Sequence, residues 1–349
     1  MNTAVIAVHF GEPPRADPEM VRTYLTNIFY QNAALEQTDS DAEAKQRAEM
    51  LAERRLPGLL EEYEAIGGSP MNSQAREQIE ALNEELFTRG FDIRVELAFQ
   101  FMQPSIESVL ESFREAGIDH VIALPIYPLC GPSTTVAALE RIDDAIEHED
   151  DWNPEVSAIS GWHRYPGYLR LRTDNIRRFL SDRGLELHDP QVRLLFSAHG
   201  TPIHYLESGS RYRIYTEEWC DSIAGLLGGI DFELGYQNHE NRDIPWTQPD
   251  IESVVSASNA EAIVVEPVSF MHEQSETLSE LDDELAEHAG ACGLEFHRIP
   301  IPHDDPAFPK VLADLVEPFL AGIEPAMYQL RPCECASDSS SMCLNAPRG

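Results

Sequence analysis

The sequence has very little positive charge. Only two of its 25 basic residues are lysines, Lys45 and Lys310, whereas aspartate and glutamate number 61, and the formal net charge is −36. Proteins that bind DNA or RNA need a basic patch to neutralise phosphates, and none is found here. Molar salt shortens the screening length between such charges to about 3 Å. The composition therefore predicts a salt-loving host with a salt-filled cytoplasm.

Long apolar runs and common cofactor motifs are also missing. No run approaches the roughly 20 apolar residues of a membrane-spanning helix. Residues 3–8 form a strand-like run at once, without the charged segment and cleavage site of a signal peptide, so we expect a cytoplasmic protein. The chain has no P-loop, no dinucleotide fingerprint and no nucleophile elbow at Ser197 or Ser269, and ATP, NAD and serine-hydrolase chemistry are therefore not supported.

Short β-branched apolar runs alternate with amphipathic helical stretches, the pattern of an α/β fold built from βαβ units. Residues 3–13 have the same form as residues 192–202, and residues 119–128 resemble residues 259–268. The repeats predict two copies of one α/β unit with parallel sheets. The expected division is residues 1–150 for the first domain, 156–305 for the second, 306–323 for a helix that packs back on the fold, and 324–349 for a cysteine-bearing tail.

Two apolar strands of the second half each lead to a side chain that can bind metal or move protons. Residues 192–202, VRLLFSAHGTP, place His199 at a strand end, and residues 262–270 run on to Glu276. Chemistry in parallel α/β sheets collects past the carboxyl ends of the strands, so we expect His199 and Glu276 to face each other. Imidazole exchanges protons near neutral pH and binds metals, while a carboxylate adds a hard oxygen ligand or a base.

Two further carboxylates, Glu280 and Glu284, follow Glu276 at intervals of four residues, which stacks them on one helical face. Like charges so placed cost stability. Conduction of a cation along the row is one interpretation, and a solvated acidic face is the other. The neighbouring pair His272 and Glu273 lacks the second histidine of a zinc-protease motif, which excludes that activity.

The chain has six cysteines, and three of them, Cys333, Cys335 and Cys343, lie in the tail. Thiols in a cytoplasmic protein indicate a soft metal or an iron–sulfur cluster more than disulfides. Closed zinc sites and most clusters take four ligands. Cys130, on a loop past a strand end, is the best candidate for the fourth.

Short motifs follow one another along nearly the whole chain. They are GEP at 11–13, YxxIGGSP at 63–70, LPxYP at 124–128, STT at 133–135, SAHGTP at 197–202, YQ at 236–237, WxxP at 246–249 and ETLxELD at 276–282. Taken in order, these motifs resemble those of ferrochelatases, class II-type enzymes that insert ferrous iron into a porphyrin. The number and order of the motifs make the resemblance specific.

The resemblance implies two Rossmann-like domains with a porphyrin cleft between them and a role in haem biosynthesis, with protoporphyrin IX or coproporphyrin III as substrate. It implies that His199 and Glu276 are the catalytic pair and first metal contacts, and that Glu280 and Glu284 continue the metal-binding face. Gln274 stands where the family often has a histidine, so no second histidine is expected beside His199. The implied porphyrin-binding residues are Phe10, Ser69, Pro70, Tyr127, Ser133 and Thr134.

The cysteine tail is similar to that of 2Fe–2S-bearing members of the family, actinobacterial ones especially. In those members the fourth cysteine comes from the loop where Cys130 lies. The resemblance therefore implies a 2Fe–2S cluster. Its implied ligands are Cys130, Cys333, Cys335 and Cys343.

Three other functions stay open: a chelatase for cobalt or nickel, a non-catalytic porphyrin- or haem-binding protein, and a cluster-bearing redox sensor. The tail favours iron, because the cobalt and nickel enzymes are often shorter and lack it. The expected partners are the porphyrin and ferrous iron, with no nucleic acid. A loose association with a membrane or with other haem-pathway enzymes stays open, as does the choice between monomer and homodimer.

Overall fold

The computed structural model describes residues 2–36, 40–149, 151–239, 244–268, 270–323, 331–332 and 341–344, and the structural statements below concern these residues. They divide into two compact units, each with its own sheet. The first unit consists of Met1–Glu12, Met71–Tyr168 and His303–Gly349, and the second of Pro13–Pro70 and Leu169–Pro302. Among the described helices, none is long and apolar enough to cross a membrane.

The strands are β1 Thr3–His9, β2 Arg94–Phe99, β3 His120–Pro125, β4 Glu155–Ile159, β5 Val192–His199, β6 Phe232–Gln237, β7 Ala262–Pro267, β8 Glu295–Arg298, β9 Arg331–Pro332 and β10 Ser341–Cys343. The α-helices are α1 Pro18–Gln31, α2 Asp41–Ile66, α3 Met71–Thr88, α4 Ile106–Glu115, α5 Ala137–Glu147, α6 Pro166–Arg183, α7 Ile203–Glu207, α8 Tyr212–Leu226, α9 Ile251–Ala257, α10 Ala286–Ala291 and α11 Phe308–Leu320. Two π-helical stretches, π1 Pro132–Val136 and π2 Glu276–Leu285, run into α5 and α10, and Ala33–Glu36 is a 3₁₀ turn.

The sheet of the first unit runs β2-β1-β3-β4-β10-β9, and all neighbours are parallel except β9 and β10. Its central strands are continuous apolar runs, as expected of a parallel sheet covered on both faces. One face packs on α4 and α5 through residues such as Val109 and Ile142. On α3, Arg89 pairs with Asp314 at 2.6 Å and Glu317 at 2.7 Å, which fastens α11 to this unit.

The second unit repeats the design. Its sheet runs β6-β5-β7-β8 with every pair parallel. In both units the four leading strands lie in the order second, first, third, fourth, which confirms the predicted duplication of an α/β fold with parallel sheets. The core beneath π2 joins Leu195 and Val265 of the strands to Leu281 and Leu285.

The boundaries of the compact units differ from the contiguous halves 1–150 and 156–305. Residues 13–70 belong to the second unit, where α1 packs on α2 and α2 contacts π2. Hydrophobic periodicity shows that a helix has an apolar face but not which sheet covers it, so this exchange is not visible in the sequence. The helix expected within residues 306–323 is α11, and it packs on α3 in the first unit.

The described part of the tail is ordered by pairing with the first sheet. The Ser160 N–H donates to the Met342 carbonyl at 2.8 Å, and the Leu344 N–H donates to the Gly161 carbonyl at 3.0 Å. β10 thereby continues the sheet beyond β4. The described residues of the tail are thus ordered by an existing strand edge.

Candidate active site

His199 is the last residue of β5, at the carboxyl edge of the second sheet. The strand is buried from Leu194 to Ala198, and His199, the next residue, is partly exposed. Its Nδ1 lies 2.5 Å from the Gly200 carbonyl, an interaction that leaves Nε2 for other partners. Glycine is needed next, because a Cβ at position 200 would lie 2.8 Å from the Gln237 carbonyl oxygen.

Glu276 opens π2, the stretch that follows β7. The structure places its Oε1 atom 3.2 Å from the Nε2 atom of His199, so the two side chains lie next to each other. The amide of Gln274 donates a short hydrogen bond to the other carboxylate oxygen. π-helical turns are rare in proteins, and many of those that occur lie at functional sites.

A second histidine, His239, completes the cluster and was missed from the sequence. Its Nε2 atom lies 2.9 Å from Nε2 of His199 and 3.4 Å from Oε1 of Glu276. Its Nδ1 atom lies 3.8 Å from Oε1 of Glu280. The expectation that no second histidine lies beside His199 is therefore wrong. The available signal was that His239 comes two residues after β6, a third strand end of the same sheet.

The buried side chain of Gln237 ties the strand ends to π2. Its carbonyl oxygen accepts a hydrogen bond from the Ser197 hydroxyl at 2.8 Å. Its amide donates to the Glu280 carboxylate at 3.1 Å and to the Glu276 carbonyl at 3.2 Å. Glu280 is thus held beside the cluster, whereas Glu284, the last member of the predicted row, is exposed and is not among the converging ligands.

Burial and mutual charge separate the protonation states of this cluster. Burial lowers the pKa of His199, but the charge and hydrogen bond of Glu276 and the charge of Glu280 outweigh it and raise that pKa to about 9. Burial raises the pKa of Glu276, yet His199 and His239 bring it well below its usual range. Burial raises the pKa of Glu280 to about 7. The charge of Glu276 adds to this shift, and His239 opposes it.

One group of side chains among the described residues converges as metal ligands do. The ligand atoms of His199, His239 and Glu276 all lie within 4.8 Å of one another. Two imidazoles and one carboxylate suit divalent transition metals better than magnesium or calcium, which prefer oxygen ligands. The arrangement can therefore hold a metal ion or exchange protons.

Glu273, which is close to Glu276 in sequence, has a structural partner instead. It pairs with Arg298 at 2.9 Å, and it accepts hydrogen bonds from the Thr277 hydroxyl at 2.7 Å and the Ile301 N–H at 2.9 Å. These contacts fix the first turn of π2 against the end of β8. Glu273 thereby helps to position Glu276 without joining the cluster.

Four of the porphyrin-binding residues implied by the resemblance lie past the carboxyl ends of β1 and β3 in the first unit. The rings of Phe10 and Phe101 are 4.6 Å apart. The Tyr127 hydroxyl donates to Gln100 at 2.5 Å, and the Gln100 amide donates to the Ser133 carbonyl at 3.3 Å. Thr134 lies beside Ser133 in π1.

The other two implied porphyrin-binding residues, Ser69 and Pro70, follow the C-terminus of α2 in the second unit. The turn before them needs glycine. Gly68 has a φ of 94°, and a Cβ there would overlap the Pro14 carbonyl. This turn therefore brings Ser69 close to the start of the segment that leads into α1.

Two of the four predicted cluster cysteines can be described, and both are buried in the first unit. Cys130 follows β3 on a loop whose Pro128 carbonyl accepts the N–H groups of Trp162 and His163, each at 2.9 Å. Cys343 is in β10, which pairs with β4 just before Trp162. The other two, Cys333 and Cys335, lie outside the described residues.

The paired α/β units and the cluster at a sheet's carboxyl edge define a chelatase-type protein. Among solved structures, SirB from Bacillus subtilis with Fe3+ shares the fold, with a TM-score of 0.52, 11% identity, and coverage of 92% of this chain and 97% of that one. The family model for ferrochelatases matches residues 2–319.

Named relatives agree with the family match. The chain is 31% identical over 330 residues to a ferrochelatase of Nostoc sp., covering 89% of this chain and 81% of that protein. It is 33% identical over 324 residues to a ferrochelatase of Synechococcus sp. (strain JA-3-3Ab), covering 89% and 88%. The chain belongs to the ferrochelatase family. It is a chelatase, an enzyme that inserts metal into porphyrins.

Proposed function

We propose that this chelatase inserts ferrous iron into protoporphyrin IX or coproporphyrin III as a step of haem biosynthesis. The observation that carries the proposal is the convergence of His199, His239 and Glu276 beside Glu280, at the carboxyl edge of a parallel sheet. Family membership supports the substrate class, and a ligand set of two imidazoles and a carboxylate supports a divalent transition metal.

The reaction removes two pyrrole protons and exchanges them for one dehydrated Fe²⁺. At neutral pH, Glu276 is an anion beside a protonated His199. The pKa of Glu280 is about 7, so this carboxyl group exchanges protons near neutral pH. We assign His199 and Glu276 the catalytic roles, with Glu280 as a proton acceptor and weak metal contact. The exposed Glu284 contributes only by raising the local cation concentration.

The macrocycle requires contacts away from the metal cluster. We propose Phe10, Tyr127, Ser133 and Thr134 in the first unit as porphyrin contacts, because they lie past the carboxyl ends of neighbouring strands. An aromatic ring and polar side chains at such an edge suit a flat, largely apolar ligand with polar substituents. Ser69 and Pro70, in the second unit, complete the proposed set.

The test is anaerobic mixing of the purified full chain with Fe²⁺ and each porphyrin, followed by visible spectroscopy. Metallation should replace the spectrum of the free base with that of the metalloporphyrin. His199→Ala should abolish the change while porphyrin binding remains, and the exposed His188→Ala is the matched control. Binding without metallation, or metallation by Co²⁺ or Ni²⁺ only, would overturn the proposal in favour of a porphyrin-binding protein or another chelatase.

We also propose a 2Fe–2S cluster held by Cys130, Cys333, Cys335 and Cys343. Support comes from the burial of Cys130 and Cys343 in one unit, on segments that each hydrogen-bond to residues 161–163 after β4. Such a cluster would add thiolate bonds that pin the tail to the first unit.

Anaerobically purified protein should then be reddish-brown, with the reduced-state EPR signal of a 2Fe–2S centre. Cys130→Ser and Cys343→Ser should each bleach the protein and lower its melting temperature. Cys220→Ser, at a buried cysteine of α8 in the second unit, should leave the colour unchanged. A colourless protein that contains zinc would refute the cluster.

The cellular setting we propose is a salt-rich cytoplasm. A net charge of −36 repels itself at low ionic strength, and salt shortens the range of that repulsion. The melting temperature should therefore rise steadily from dilute buffer to molar KCl. A melting temperature that falls or stays constant over this range would contradict a salt-adapted enzyme.

A further inference from the structure

We infer that His199, His239 and Glu276 form one face of a binding site for the metal before it enters the porphyrin, with His239 as a direct ligand. This inference deepens the proposed function and rests on it. Three edges define the face: 2.9 Å between the two histidine Nε2 atoms, 3.2 Å from His199 to Glu276, and 3.4 Å from His239 to Glu276.

The three separations match those between ligands of one metal ion. With metal–ligand bonds of about 2.1 Å, adjacent ligands lie about 3.0 Å apart in octahedral and about 3.4 Å apart in tetrahedral geometry. The observed separations of 2.9, 3.2 and 3.4 Å span this range. Two histidines and one carboxylate on one face, with the opposite positions open, is the ligand set of non-haem ferrous sites.

Each ligand also has a partner on its other polar atom. Nδ1 of His199 faces the Gly200 carbonyl at 2.5 Å, and Nδ1 of His239 faces Glu280 at 3.8 Å. The second carboxylate oxygen of Glu276 accepts from the Gln274 amide. Metal-binding histidines are typically oriented by such a carbonyl or carboxylate. The three remaining atoms lie within 4.8 Å of one another.

The site is open enough to load and unload a metal. The side chains of His199, His239 and Glu276 are 35%, 23% and 20% exposed. Positions opposite the face would hold water, which porphyrin nitrogens can replace. Imidazole ligands also discriminate against the abundant magnesium ion, which favours oxygen. His239 would therefore help to select the metal before insertion.

The test uses Co²⁺ alone, without porphyrin, on the anaerobic full chain. Titration calorimetry measures affinity, and the visible bands of cobalt report binding to nitrogen and oxygen ligands. Thiolate charge-transfer bands in the near ultraviolet would identify binding to cysteines. His239→Ala should lower the affinity of this site by about 100-fold or more, because loss of an outer-shell partner alone costs about 10- to 100-fold. The matched control, His188→Ala, should bind as the wild type does.

A replacement ligand provides the second variant. His239→Glu offers an oxygen at similar reach, so it should bind Co²⁺ more tightly than His239→Ala and shift the preference towards Mn²⁺. Wild-type affinity in both variants would overturn the inference. If His239→Ala loses Co²⁺ but the wild type fails to metallate any porphyrin, the metal site stands and the proposed function fails.

Discussion

The Nε2 atom of His199 lies 3.2 Å from Oε1 of Glu276, and this contact joins the end of β5 to the start of π2. Burial acts to lower the pKa of His199, but the carboxylate overcomes it, and the pKa rises to about 9. A histidine pKa above its unfolded value of 6.5 stabilises the fold fully below pH 6.5. That contribution is lost as the pH rises through 9.

The first prediction concerns this coupling. Glu276→Gln removes the main opposing charge and hydrogen bond, so the pKa of His199 should fall from about 9 towards or below its ordinary value. Nitrogen-15 NMR titration of labelled histidine measures this directly. Glu284→Gln, at an exposed carboxylate outside the cluster, is the control and should leave the pKa of His199 unchanged. An unchanged value in Glu276→Gln would show that another group controls the proton.

The second prediction ranks the three carboxylates in porphyrin metallation. Glu276→Gln should be nearly inactive, because it removes the group that contacts both histidines. Glu280→Gln should be milder, since Glu280 contacts His239 and Gln237 but lies outside the converging ligands. Glu284→Gln should show a defect only at limiting iron. Initial rates over a series of Fe²⁺ concentrations give the ranking, and a greater loss at saturating iron in Glu280→Gln would reverse it.

The sequence was sufficient to predict the duplicated α/β fold and the neighbourhood of His199 and Glu276. Both predictions depend on local patterns: apolar strand runs and the polar residue that follows each one. His239 escaped because strand order is a long-range property, and nothing local shows that β6 lies beside β5. The exchange of residues 13–70 between units escaped for the same reason.

The acidic row shows a different limit of sequence reasoning. Spacing of four residues correctly places Glu280 near Glu276, but it does not fix burial along the helix, and Glu284 is exposed. Glu273 is also an acidic residue close to Glu276 in sequence. It pairs instead with Arg298, whose position depends on β8. Partners supplied by distant strands therefore decide which carboxylates remain available for chemistry.

The third prediction concerns a buried ion pair in the second unit. Arg172 and Glu266 are almost fully buried and pair at 2.5 Å, and Arg172 also donates to the carbonyls of Pro267 and Phe270 on the segment leading to Glu276. Arg172→Leu should cost about 3–5 kcal/mol, because it leaves a buried carboxylate without its partner. Chemical denaturation at pH 7 measures the loss.

Two variants test whether that loss comes from the unpaired carboxylate. The double variant Arg172→Leu/Glu266→Leu should recover much of the stability, since no charge remains buried. Arg213→Leu breaks an exposed pair with Glu217 and should cost about 1 kcal/mol or less. Equal losses in the single and double Arg172 variants would instead attribute the effect to lost packing and carbonyl contacts.

The last prediction is an acid sensitivity located at His9, on β1 of the first unit. The residue is 1% exposed, and burial lowers its pKa from 6.5 to about 3. The unfolded chain therefore binds a proton between pH 6.5 and 3 that the folded chain does not, and stability falls as the pH falls. The slope should reach about 1.4 kcal/mol per pH unit, for a total of about 5 kcal/mol. His9→Gln does not titrate, so its stability relative to the wild type should rise by that amount on acidification. Denaturation curves from pH 7 to 3 at constant high salt would show this, and parallel losses in both proteins would place the acid sensitivity elsewhere.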